Sequence, residues 1–175
     1  MNNKKVLLDT GVIISFCGRS GFFERETTAK ELINYLKSNN FEIFYSQRTL
    51  NELNKKPSIQ RNVILSQLKL AGYYYGNETI DQIEGAWGNI SSLWNNSVNG
   101  ELELANRVKG WLTKEKDLRD RGILLDAIMN QCSFFVHENP NDFSKIPAAF
   151  LKEFDLRCIN LLICQKTSFP QLFAD

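Results

Sequence analysis

Four acidic residues stand where side chains could gather to do chemistry: Asp9, Glu52, Asp120 and Asp142. Asp9 closes the short apolar run Val6-Leu7-Leu8. A buried strand that ends in a carboxylate pushes it out at the strand's C-terminal edge, where open α/β sheets bind their ligands. Four carboxylates collected there would hold a divalent metal. Each also has a plainer reading. Asp9 could be a turn residue, and Thr49-x-x-Glu52 fits a capping box. Asp120 could cap the helix that follows it, and Asp142 could be a loop residue after Pro140. A helical wheel places Asp120 beside Leu124 and Ala127, at the N-terminal end of the buried face. A carboxylate there is costly unless paired or metal-bound. The same wheel puts Asp126 well off that face. Asp117, one turn earlier, is a supporting group or a substitute.

Other chemistries lack their signatures. Ser-His-Asp or Cys-His catalysis would depend on His137, the one histidine, and no GxSxG elbow accompanies it. Cys17, Cys132, Cys158 and Cys164 form no CxxC pair, which suits reduced, mostly buried thiols and not a zinc site. Neither GxxxxGK[ST] nor GxGxxG occurs. A net charge of +1 excludes a basic coat, so nucleic acid would need a local patch. Arg48, Lys55 and Arg61 are candidates for backbone contact, with solvated surface charge the plainer reading of each. The apolar start is too short for a signal peptide and no run approaches the ~18 residues of a membrane span, so a cytoplasmic location is expected.

The elements that would position these groups alternate. Strands are expected at residues 4–8, 41–45, 134–136 and 156–164. Helices are expected over 11–17, 27–37 (capped by Thr27 or Thr28), 46–53 (capped by Ser46), 59–75, 118–132 and 147–154. Alternation of this kind implies a parallel sheet covered on both faces. The expected fold is a three-layer α/β/α domain over residues 1–175 with a helical insertion at about 57–116. Within the insertion, Ile80, Ile83, Trp87, Ile90 and Trp94 make one helical stripe, 95–100 reads as a loop, and Leu104, Val108, Trp111 and Leu112 make a second stripe. This helical hairpin would either pack on the domain or form a homodimer or partner interface.

Four segments resemble the motifs of the PIN-domain nucleases. Val-Leu-Leu-Asp9-Thr-Gly looks like the first, usually apolar-Leu-Asp-Thr-Asn. Ser46-Gln-Arg-Thr-Leu-Asn-Glu52-Leu is similar to the second, Ser-x-x-Thr-x-x-Glu-Leu. Asp120-Arg-Gly-Ile-Leu-Leu resembles the third, an aspartate opening a helix. Val-His137-Glu-Asn139-Pro-Asn-Asp142-Phe143 looks like the fourth, usually Val-Thr-x-Asn/Asp followed by Asp-Phe. They come in the family's order. Gly11 stands in place of the usual asparagine, and His137 in place of threonine or serine. Asp142 could supply the charge that many members carry at the position of Asn139.

The resemblance implies metal-dependent hydrolysis of RNA. Its cofactor would be Mg²⁺ or Mn²⁺, which hard oxygen ligands suit. Asp9 and Asp120 would hold the metal most directly, with Glu52 and Asp142 acting through water or completing a second site. Thr10, Asn139, Asp117 and Arg48 would support ligands or touch substrate. Compact bacterial members are often toxins neutralised by an antitoxin, so an antitoxin partner is also implied. Gly11 and His137 motivate a competing reading, a PIN-like adaptor without catalysis. An aspartyl phosphotransferase with Asp9 as nucleophile ranks last, because Gly11 occupies the place of its second aspartate.

Overall fold

A computed structural model describes residues 4–71, 73–74, 98–113, 118–164 and 168–174. The stripe from Ile80 to Trp94, and with it the first half of the expected hairpin, lies outside them, as does Asp117. Five strands, β1 (Lys5–Leu8), β2 (Glu42–Tyr45), β3 (Tyr73–Tyr74), β4 (Phe134–His137) and β5 (Arg157–Asn160), form one sheet in the order β3-β2-β1-β4-β5. Every pairing is parallel: Val6 lies opposite both Ile43 and Phe134, Phe44 opposite Tyr73, and Val136 opposite Ile159.

The apolar runs of β1 and β4 reflect burial on both faces. Val6, Leu8, Phe134 and Val136 point into one core with α1 (Thr10–Phe16), α2 (Phe23–Ser38) and Ile64 of α4 (Ser58–Ala71). Leu7 and Phe135 point the other way. There they meet α5 (Val98–Trp111), α6 (Leu118–Met129) and Phe150 of α8 (Ala148–Lys152). α3 (Gln47–Asn54) follows β2, and the single turn α7 (Pro140–Phe143) follows β4. The result is the expected three-layer α/β/α fold with a fully parallel sheet. The two ends of the 57–116 segment join opposite cores: Ile64 packs beside α1 and α2, and Leu104, Val108 and Leu112 pack with α6.

Several boundaries differ from expectation for local reasons. α2 begins at Phe23 instead of Thr27, because Glu26 Oε1 accepts from the amides of Ser20 and Gly21 and closes the first turn from inside. The helix expected through Tyr75 stops at Ala71, and Tyr73-Tyr74 adds an edge strand to β2. Helix α5 starts at Val98, within the expected loop. The last apolar run is half strand and half helix, since Asn160 Oδ1 accepts from the Leu162 amide (3.0 Å) and turns the chain into α9 (Leu161–Cys164). A further turn, α10 (Phe169–Leu172), seats Phe173 against Phe134, Tyr35 and Phe41.

All four cysteines are free thiols, three of them fully buried. Burial pushes Cys17 and Cys164 up to about 11, and Cys132 and Cys158 up to about 12. No helix among the described residues is long and apolar enough to cross a membrane.

Candidate active site

The sheet's C-terminal edge gathers the chemistry. The Asp9 amide still bonds to Val136 O (2.9 Å), so Asp9 is the last residue tied to β4 before α1 begins. Glu52 sits on α3, the helix leaving β2. Asp120 sits in the first turn of α6, which packs against the sheet and precedes β4. A helix leading into a parallel strand runs back across the sheet, so its N-terminus returns to this edge.

These carboxylates feel one another. Asp9 is pushed up from 3.8 to about 7, first by burial, then by the charge of Asp120, with Glu52 adding to it; the Thr10 and Gly11 amides act the other way. Asn139 Nδ2 donates to Asp120 Oδ2 (3.2 Å) and orients that carboxylate. Asp142 lies in α7, just after Asn139; its side chain is outside the described residues. Among the described residues, no three acidic, histidine or cysteine side chains stand together as a cage that could hold a metal ion. Mg²⁺ seldom uses such cages: one or two carboxylates with several waters are its usual setting. The paired charges of Asp9 and Asp120, all hard oxygens, fit that description.

The supporting shell is built largely from the second segment. Ser46 Oγ caps α3 by accepting from the Thr49 amide (3.4 Å), so Glu52 lies mid-helix and the capping-box reading of Thr49 and Glu52 falls. Thr10 is buried and its Oγ1 donates to Thr49 Oγ1 (3.2 Å), joining the starts of α1 and α3 and so the supports of Asp9 and Glu52.

Arg48 departs from the surface position that two of its expected readings required. It is neither a solvated charge nor an exposed phosphate contact: it is buried, with Nε 3.5 Å from Asp126 Oδ2. The wheel argument for Asp126 fails with it. Every residue from Arg121 to Ile128 is buried, because α6 is enclosed on all sides, so a two-faced wheel cannot separate Asp126 from the core. Gly122 makes room for this pair. A Cβ there would stand 2.6 Å from Arg48 Nη1 and closer still to Nε and Cζ.

Two departures from the family pattern now have local explanations. Glu138 Oε2 lies 3.4 Å from where a Cβ on Gly11 would stand, and that point is 3.7 Å from Asp9 Oδ2. A second carboxylate thus uses space that a side chain at position 11 would take. Ser15 Oγ donates to Glu138 Oε1 (2.5 Å), and Arg25 Nη1 lies 4.0 Å from Oε2. Sequence reasoning missed Glu138, although the glycine beside Asp9 was its signal. His137 is buried between Phe135 and Phe143. Its Nδ1 accepts from the Asn139 amide (3.2 Å), and burial lowers it to about 4, so it is neutral at physiological pH. It holds Asn139 in place instead of supplying a hydroxyl.

No protein-family model matches the chain, and no curated protein matches it. Among solved structures, the chain is similar in fold to one in the crystal structure of VapBC2 from Rickettsia felis bound to a DNA fragment from their promoter. The TM-score is 0.51 and the identity 16%, over 89% of this chain and 98% of that one. The likeness is one of fold.

Proposed function

We propose that this chain is a metal-dependent endoribonuclease that hydrolyses RNA phosphodiester bonds at the edge formed by Asp9, Glu52 and Asp120. The observation that carries the reading is the gathering of Asp9, Glu52 and Asp120 at one sheet edge, where desolvation and the neighbouring charges raise the half-buried Asp9 carboxylate to about 7. Such a cluster is strained without a cation. Asp9 and Asp120 would hold Mg²⁺ or Mn²⁺, with Glu52 and Asp142 acting through water. Bound there, the metal would lower the pKa of a water and neutralise charge on the phosphate. The chain's own contribution is geometry. Asn139 fixes the Asp120 carboxylate, and the Thr10–Thr49 bond fixes α1 against α3. The motifs and the fold likeness to a VapBC2 chain support a toxin of a toxin–antitoxin pair, with an antitoxin as protein partner and the cytoplasm as its place of action.

The test is cleavage of single-stranded RNA with Mg²⁺ or Mn²⁺, against chelator and against Asp9→Asn. Metal-dependent cleavage lost in Asp9→Asn is the expected result. A second reading, a PIN-like adaptor without catalysis, is favoured by Gly11, by His137 and by the lack of a closed three-ligand cage among the described residues. No cleavage by the parent chain, with no stabilisation by either metal, would establish it.

A further inference from the structure

Phe22 and Phe23 are the two most exposed large apolar side chains among the described residues, 57% and 82% accessible. They stand on a turn that is held firmly. Gly18 and Gly21 adopt φ of +68° and +76°, a region that favours glycine. Glu26 Oε1 accepts from the Ser20 amide (3.0 Å), the Gly21 amide (3.1 Å) and Ser20 Oγ (3.1 Å). Ser20 Oγ in turn accepts from the Phe22 amide (3.1 Å), and Phe22 O accepts from the Glu26 amide (3.0 Å). Five hydrogen bonds therefore hold two rings facing water.

This turn is joined to the acidic edge. The Arg25 guanidinium lies over the Phe22 ring, 4.5 Å from its centroid, and reaches to 4.0 Å from Glu138. Glu138 in turn borders Gly11, its Oε2 3.4 Å from where a Cβ there would stand, a point 3.7 Å from Asp9 Oδ2. Ring, guanidinium and carboxylates form one continuous strip from the α1–α2 turn to the candidate site. Aromatic faces beside arginine are how proteins hold single-stranded nucleic acid without reading its sequence: bases stack on the rings, and arginine adds cation–π attraction. Paired bases offer no free face, so a duplex would gain little from the same surface.

We propose that Phe22, Phe23 and Arg25 form a base-stacking platform that binds the single-stranded RNA leading into the acidic edge. The inference rests on the nuclease reading and adds to it the strandedness of the substrate and the side from which it enters. The platform is assembled before RNA arrives, so binding needs no ordering of the turn.

The test compares the parent chain with Phe22→Ser/Phe23→Ser and with Arg25→Gln. Binding of a fluorescent single-stranded oligoribonucleotide and of its duplex is measured by anisotropy in chelator, with size-exclusion chromatography alongside. Because both rings are exposed, the double variant should fold, and thermal unfolding checks it. The expected result is about tenfold weaker single-strand binding in the double variant, within the range of stacking on one or two rings, with duplex binding unmoved and Arg25→Gln weakened in the same direction. Unchanged single-strand binding in the double variant overturns the platform. A changed oligomeric state with unchanged RNA binding also overturns it and assigns the rings to a protein interface. Metal-dependent cleavage by the parent, with rings that do not matter, removes the platform and leaves the nuclease. No binding and no cleavage by the parent removes both.

Discussion

Asp9→Asn should make the metal-free protein more stable, and the gain should depend on pH. In the fold Asp9 is raised to about 7 from 3.8 by burial and by Asp120 and Glu52. The native state therefore keeps its proton where the unfolded chain has lost it, and ionisation works against folding. The favourable state is fully present below about 4 and is lost as pH rises through 7. At 1.36 kcal/mol per pKa unit the full penalty is on the order of 4 kcal/mol. Relaxation of the edge and water entry would reduce that to about 2 kcal/mol or more. Asparagine has nearly the same shape and cannot ionise. The stability gap between variant and parent should be close to zero near pH 4, widen to neutrality and level off above about 7. For a chain of this size each kcal/mol moves the midpoint about 2–4 °C, so a rise of roughly 5 °C at pH 8 is expected. Thermal unfolding by circular dichroism in chelator, at matched pH for both proteins, measures it. His137 tilts both curves the other way below about 6.5, since it must charge on unfolding, but it cancels between parent and variant. A gap that ignores pH, or a less stable variant at pH 8, would refute the electrostatic account of the site.

Mn²⁺ should raise the midpoint of the parent at pH 8 and not that of Asp9→Asn, read by the same melts with and without metal. Arg48→Ala should cost about 3–5 kcal/mol in denaturant unfolding, because it leaves Asp126 buried without its cation; a loss under 1 kcal/mol would mean the pair is solvated. Gly122→Ala should destabilise by about 1–3 kcal/mol despite alanine's better helix propensity, since the new methyl meets the guanidinium. Asn139→Ala should lower RNA cleavage about 10- to 100-fold by freeing the Asp120 carboxylate, with thermal unfolding almost unmoved.

The central strands were legible because burial on both faces leaves a mark that no local preference can hide: Val6-Leu7-Leu8 and Phe134-Phe135-Val136 are apolar at every position. The cap at Ser46 and the placing of Asp9 at a strand end were legible as local chemistry, each read from its immediate neighbours in the sequence. What escaped was decided by tertiary contact. Whether Arg48 faced water or Asp126 depended on α6 being enclosed all round, and a helical wheel assumes two faces. Glu138 could not be placed beside Asp9 without knowing that β1 and β4 are neighbours. Tyr73-Tyr74 is too short to carry a period. The start of α2 depended on a glutamate reaching back over its own turn, which reads in the sequence as one acid among several.

The strand order has a consequence for how the molecule comes to exist. β1 is made before the other four strands, yet it is central: Lys5 O accepts from the Ser133 amide, and Asp9 N donates to Val136 O. Its second neighbour is thus synthesised more than a hundred residues later. Domains fold as units and long loops close late, so the innermost strand must wait for β4. Until β4 arrives, Asp9, Glu52 and Asp120 exist without the strand that brings Asn139 to Asp120. A chain stalled or clipped before Phe134 would carry Asp9, Glu52 and Asp120 but not the strand that ties Asp9 and brings Asn139 to Asp120, so the site comes into being only once β4 has joined the sheet.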